Sequence, residues 1–298
     1  MKQVVSISLG SSSRDHIAEI DLLGQTFLVK RIGTDGDLQK MIRFIEENDG
    51  KIDAFGLGGM DLYIQAVNRR YTLRDAQKVA SAARITPILD GSGLKNTLER
   101  NVVEYLLRET DIIDKKKKVL VVSAMDRFGL AQSLEQAGCE MEYGDLIFIL
   151  SLPCPLKSLN TLAFIAALAV PVIRLLAFSM IYPTGKKQET NKPRYPQFFL
   201  RADIIAGDFH FIKRYMPKEL PGKIIITNTV TPADVEMLRQ KGVKTLITTT
   251  PEIDGRSFGT NVMEALLVAY AGSKKELNPE EYKRLLEELE FRPRIIEL

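Results

Sequence analysis

The sequence predicts an α/β protein of two domains with parallel sheets. Three observations carry this. Short apolar runs of strand length alternate with amphipathic stretches of helix length, glycine, proline and asparagine punctuate the changes, and the polar stretch Asp111–Lys118 breaks the series with four consecutive lysines. Strands separated by helices imply crossover connections and hence parallel pairing. With 298 residues the chain is long enough for two ordinary domains. The expected boundaries are 1–114 and 115–272, with the terminal helix in 273–298 packing back on the first domain.

The elements follow in order. Val4–Leu9 is a strand, and Ile20–Arg31 two extended pieces broken at Gly24. Asp37 caps a helix through Glu47, because Leu38, Met41, Ile42 and Ile45 fall on one stripe. Ile52–Leu57 is a strand, and Leu62–Val67 with Tyr71–Leu73 a hairpin around Asn68-Arg69. Asp75–Arg84 is helical, Pro87–Leu89 a strand, and Leu94–Thr110 a helix with Leu98, Val102, Val103 and Leu106 inward. Beyond the lysines, Val119–Val122, Asp203–Ala206, Lys223–Thr227 and Thr245–Thr249 are strands. Thr231-Pro232 opens a helix with cap and first-turn proline in the expected order, and Gly242 stops it. Asn261–Ala271 is an apolar helix and Pro279–Glu290 a charged one.

Composition narrows the function. Forty-one basic residues are interleaved with 38 acidic ones for a net charge of +3, which argues against nucleic acid as a partner. The chain opens directly on a strand, so no signal peptide is expected and a cytoplasmic location is. Cys139 and Cys154 are read as small buried hydrophobes, and the two distant histidines give no metal site. The uncharged run Ser158–Ile173 is shorter than the ~20 residues of a membrane span and carries Pro171, with Arg174 next. It is read as a buried helix and the place for a homodimer contact, without membrane contact.

Lys118–Asp145 is the most informative segment. Strand, turn, amphipathic helix, second strand and acidic residue outline a mononucleotide-binding unit of a Rossmann-like domain. The glycine fingerprint is reduced to Gly129 in the turn Ser123-Ala124-Met125-Asp126-Arg127-Phe128-Gly129. A pyrophosphate there would rest on Ser123, Met125, Asp126, Arg127 and Gly129, by backbone N–H groups, the helix dipole and the Arg127 charge. Asp145 sits where a carboxylate meets a ribose, and would favour NAD over NADP, which stays open. Thr227, Asn228 and Thr249 add polar groups at strand ends, where ligands of parallel sheets bind.

Polar strand-end loops also occur in the first half. Asp90-Gly91-Ser92-Gly93-Leu94-Lys95-Asn96-Thr97 joins a carboxylate, an amine and an amide, so Lys95 as proton-transferring group with Asp90 as partner is the expected catalytic pair. Ser11-Ser12-Ser13-Arg14-Asp15-His16 is suited to a carboxylate or phosphate. Gly56-Leu57-Gly58-Gly59-Met60-Asp61 permits close approach of a ligand to backbone.

This order of parts resembles the shikimate/quinate 5-dehydrogenases. The resemblance is carried by Asn96-Thr97 and the helix behind them ahead of the Val119 strand, and by Asp254-Gly255 before Asn261-Val262-Met263-Glu264-Ala265-Leu266. The aspartate which that family places after Asn-Thr is here Leu98, with Glu99 one step on, and Lys95 stands in for its lysine. The resemblance implies an N-terminal substrate-type domain, with Ser11, Ser13, Asn96 and Thr97 on substrate, followed by a nicotinamide-binding domain. It also implies NAD(P)-dependent oxidation of a small hydroxylated acid. Two alternatives remain: a non-catalytic ligand-binding or sensor protein on the same fold, and a transferase using a nucleotide-linked donor held by Arg127 or Arg256.

Overall fold

The structure, a computed structural model, describes residues 1–66, 69–173, 191–250, 252–253 and 256–298. The strands are β1 (Lys2–Ser8), β2 (His16–Leu22), β3 (Gln25–Gly33), β4 (Ala54–Gly58), β5 (Tyr63–Ala66), β6 (Arg69–Thr72), β7 (Ile88–Leu89), β8 (Lys118–Val121) and β9 (Glu140–Tyr143). There follow β10 (Ile204–Ala206), β11 (Ile224–Thr227), β12 (Thr245–Thr248), β13 (Glu252–Ile253), β14 (Arg256–Ser257) and β15 (Arg294–Glu297). The helices are α1 (Leu38–Asn48), α2 (Arg74–Ala80), α3 (Ser92–Glu109), α4 (Phe128–Gln136), α5 (Asp145–Phe148) and α6 (Leu159–Ile173). They continue with α7 (Pro196–Arg201), α8 (Phe209–Tyr215), α9 (Pro232–Gln240), α10 (Thr260–Tyr270) and α11 (Pro279–Glu288).

Two sheets organise the chain, as the fold class requires. The first has the order β2-β3-β1-β4-β7, parallel except for the β2–β3 hairpin. The second has the order β15-β12-β11-β10-β8-β9 and is parallel except for its edge strand β15. Alternation along the strands sends side chains to both faces. Val119 and Val121 pack with α3, α4 and α6, whereas Leu120 and Val122 meet Phe198, Phe199 and Ile212 on the other side. In the first sheet Val5 and Ile7 face Met41 and Ile45, while Val4 faces the buried helix α10.

Helix α3 ties the two sheets together. Its Leu94 and Leu98 belong to the core of the first sheet, and Val102, Val103 and Leu106 to that of the second. The chain crosses back later: α10, expected to close the second domain at 272, packs on β1, β4 and α3 instead. Strand β15, which sequence patterning left unassigned, returns to the second sheet beside β12. It is an edge strand whose Ile295 remains 36% exposed, so it lacks the apolar run of a central strand.

Local chemistry explains the boundaries. Asp37 caps α1 by accepting from Lys40 N at 2.9 Å, and Thr231 and Asp234 form a reciprocal capping box on α9. Helix α2 ends at Ala80 rather than Arg84, because the Asp49 carboxylate takes the N–H groups of Arg84, Ile85 and Thr86 at 2.8–3.1 Å. The hairpin β5–β6 is antiparallel as expected, although Val67 and Asn68 at its turn lie outside the described residues. Pro171 does not interrupt α6, which buries Leu159, Leu162, Ala163, Ala166 and Val170 and exposes Phe164 and Leu168. No helix among the described residues is long and apolar enough to cross a membrane. Both cysteines are free; Cys139 is buried, but Cys154 is exposed, against expectation. Arg174 and Asp254-Gly255 lie outside the described residues.

Candidate functional site

The carboxyl ends of the parallel strands face one cleft of about 810 Å³ between the two sheets. Ser6 and Ser8 of β1, Gly58 and Gly59 at the end of β4, Asp208 beyond β10 and Asn228 beyond β11 all line it. Of the residues singled out from sequence, it gathers Asp90, Lys95, Asp126, Arg127 and Asn228, together with Arg14, His16 and the turn from Gly58 to Asp61. Ser11, Ser13, Asn96, Thr97, Ser123, Met125, Gly129, Asp145, Thr227 and Thr249 do not line it.

The strand order of the second sheet reverses between β8 and β10, which are parallel, the position at which open parallel sheets bind ligands. Here that position is filled from within. Arg127, 5% exposed, places Nη1 2.9 Å from Glu99 Oε1 and Nη2 2.9 Å from Asp208 Oδ2. Its Nε lies 3.2 Å from Asp126 Oδ2 without an aligned hydrogen bond. Burial works against the guanidinium charge, but the carboxylates of Asp126, Glu99 and Asp208 outweigh it and raise its pKa. Asn228 braces the arrangement, donating from Nδ2 to Asp208 Oδ2 at 2.8 Å and accepting from Phe209 N at 3.1 Å.

The phosphate-type turn is closed in the same way. Asp145, 5% exposed, accepts from Ala124 N and Met125 N, each at 3.0 Å. The carboxylate expected to meet a ribose therefore lies under the turn and consumes the backbone donors that a pyrophosphate would use. Burial pushes its pKa up to about 6 against those hydrogen bonds. At the amino end of α4, Gly129 N donates to Asn96 Oδ1 at 3.2 Å and Leu130 N to Glu99 Oε2 at 3.1 Å. Gly129 is there for packing: a Cβ would stand 2.9 Å from the carbonyl oxygen of Asn96. Asn96, expected on substrate, is thus a cap for the neighbouring helix, and Glu99 replaces an anionic ligand at the helix dipole.

Lys95 keeps a place at the cleft, with a different partner. Its Nζ lies 2.9 Å from Asp126 Oδ1. Asp90, the partner expected from sequence, instead accepts from Leu62 N at 2.6 Å and Ser92 N at 3.0 Å, holding the start of α3. Burial disfavours both charges of the Lys95–Asp126 pair, yet mutual attraction prevails: the amine is raised and the carboxyl lowered. The pair thus favours the charged form of each group.

The remaining sequence candidates lie off the cleft. Ser11 and Ser13 bond each other at 2.8 Å on the surface. Thr97 lies half-buried on α3 and Ser123 is buried, while Met125 packs its side chain against the second core. Thr227 Oγ1 donates to Gly207 O at 2.8 Å, and Thr249 is buried with its hydroxyl unpartnered among the described residues. The residues missed by sequence reading are Asp208, at the carboxyl end of β10, and Arg31, within β3. The strand-end rule applied to the short β10 would have found the first; Arg31 carried no signal beyond a strand position.

Residues 3–90 match a family model described as Domain of unknown function (DUF8753), and residues 93–298 one described as Domain of unknown function (DUF8754). No curated protein matches the chain. Among solved structures, a glutamate dehydrogenase from Thermus thermophilus is 12% identical with TM-score 0.43, the match covering 97% of this chain and 73% of that one. An NAD-dependent malic enzyme from Thermotoga maritima gives 11% identity and TM-score 0.34, covering 97% and 84%. An ABC transporter solute-binding protein from Burkholderia multivorans gives 11% identity and TM-score 0.36, covering 92% and 96%. With more than half of its length matched, at residues 93–298, the chain belongs to the family described as Domain of unknown function (DUF8754).

Proposed function

We propose that the chain is a binding protein for a small, polar, hydroxyl-bearing molecule held in the cleft between the two sheets. The observation that carries this reading is the internal closure of the switch point by Arg127 with Glu99 and Asp208, together with Asp145 on the turn donors. A cleft of about 810 Å³ remains, lined by carboxylates, amides and basic side chains. The carboxylates and amides accept hydrogen bonds from hydroxyls. Binding of small hydroxylated acids and sugars, followed by calorimetry in wild type and Asn228→Leu, tests it. The reading predicts saturable binding weakened about tenfold in the variant, since Asn228 positions Asp208. Binding unchanged in the variant counts against this site.

A second reading is favoured by one observation, the Lys95–Asp126 pair on the cleft wall. It is an NAD(P)-dependent oxidoreductase acting on a small hydroxylated acid, with Lys95 donating to the substrate oxygen. It requires the Arg127–Asp208 bridge to open for the dinucleotide. Cofactor reduction with shikimate or quinate that disappears in Lys95→Ala supports it; absence of turnover in both proteins argues for the binding reading.

A further inference from the structure

The first sheet presents positive charge to the same cleft, and part of that charge is not used inside the protein. Arg31, on β3, has a side chain 15% exposed, and its Nη1 is occupied by Ser11 O at 3.0 Å and Asp15 Oδ1 at 2.9 Å. Its Nη2 is buried with no hydrogen-bond partner among the described residues. Arg14, at the end of the 3-10 turn Ser12–Arg14, makes no side-chain ion pair among the described residues. Both arginines line the cleft, and both reach Gly10. A Cβ built on Gly10 would stand 2.7 Å from Arg14 Nη2, 3.0 Å from Arg31 Nη2 and 3.3 Å from Ser8 Oγ. Any larger residue at position 10 would fill the space the two guanidinium groups enclose.

Two like charges beside a buried, unsatisfied donor are costly unless an anion joins them. The cost shows in Arg31, whose pKa is lowered by burial and then by Arg14, more than Asp15 and Asp35 restore. Asp15 meets Arg31 at Nη1 only, with Gly33 N on the same oxygen at 2.6 Å, and Asp35 takes Ser12 N at 2.8 Å, so neither satisfies Arg31 Nη2. Elsewhere in the lining Asp126 and Asp208 add carboxylate oxygens, which also meet Lys95 and Arg127.

The geometry points to Arg14 and Arg31 as an oxyanion pole that seats the carboxylate or phosphate monoester of the ligand beside Gly10, with the ligand's hydroxyls toward Asp126 and Asp208. This deepens the ligand-binding reading and rests on it for the hydroxyl end alone. Oxyanions accept paired N–H bonds from arginine, and a monoanion or monoester suits two guanidinium groups in a small space.

Calorimetry of the full chain with matched probes tests the pole: ribose 5-phosphate against ribose, gluconate against glucose, and inorganic phosphate alone. The expected result is that the anionic member of at least one pair binds tenfold or more tightly than its neutral partner. The pair that shows it tells phosphate from carboxylate. Arg14→Gln, at an exposed position, should collapse that preference about tenfold. Arg31→Lys, which keeps the charge but not the fork, should do the same if it folds. Equal binding of both members, unaltered in Arg14→Gln, overturns the pole and leaves the cleft reading intact. Binding of phosphate alone, lost in Arg14→Gln and without any sugar or acid bound, upholds the pole and overturns the cleft reading. No binding of any probe overturns both.

Discussion

Arg127 reaches across the switch point of the second sheet to Asp208, Nη2 to Oδ2 at 2.9 Å, and so joins the carboxyl ends of β8 and β10. The pair occupies the place where parallel sheets of this order commonly receive a ligand's anionic group. With Glu99 on the other side of the guanidinium, the positive charge is spent on the protein's own carboxylates.

Removing that charge should be expensive. Arg127→Met leaves Glu99 buried and without its counter-ion, a loss of about 3–5 kcal/mol. Urea unfolding followed by circular dichroism measures it, and a loss under about 1 kcal/mol would show the pair to be solvated in solution.

Asp145 holds the turn rather than a ligand, so its removal should cost stability before function. Asp145→Ala strands the N–H groups of Ala124 and Met125, worth about 1–3 kcal/mol. The same unfolding measurement reads it.

Helix packing gives a third prediction. In Gly129→Ala the new methyl meets the Asn96 backbone, and α3 and α4 must separate by a few tenths of an ångström. A loss of about 1–3 kcal/mol is expected, with little change in secondary structure.

The pH dependence of stability has a defined sign. Burial raises Glu264 to about 8, where it accepts from Gly91 N and from the Tyr282 hydroxyl, and raises Asp145 to about 6. Each binds its proton more tightly folded than unfolded, so stability falls as pH rises from the unfolded value through the folded one. From pH 5 to pH 8 the loss should be on the order of a few kcal/mol, mostly from Glu264. Glu264→Gln should flatten that slope; an unchanged slope contradicts the assignment.

Much of this fold is legible in the sequence because its cause is local. Val119–Val122 reads as a central strand since both faces are covered, and Thr231-Pro232-Ala233-Asp234 carries its own cap. What is not legible depends on pairs distant along the chain. Arg127 and Asp208 are 81 residues apart, and Lys95 and Asp126 are 31 apart. Spacing placed Asp145 at a strand end but could not say that it turns under the loop instead of outward. The motif survived as a shape whose donors are satisfied by side chains, and local patterning does not distinguish that from a site awaiting a ligand. Periodicity gives helix α10 an apolar face without naming the sheet it covers.

The account stands on the closure of the switch point. Titration of the full chain with NAD and NADP, read by calorimetry and by nicotinamide fluorescence for the reduced forms, tests it most directly. The account predicts no saturable binding at millimolar concentration. Saturable micromolar binding of either dinucleotide would contradict it, since the dinucleotide would then be displacing the contacts that hold the turn shut.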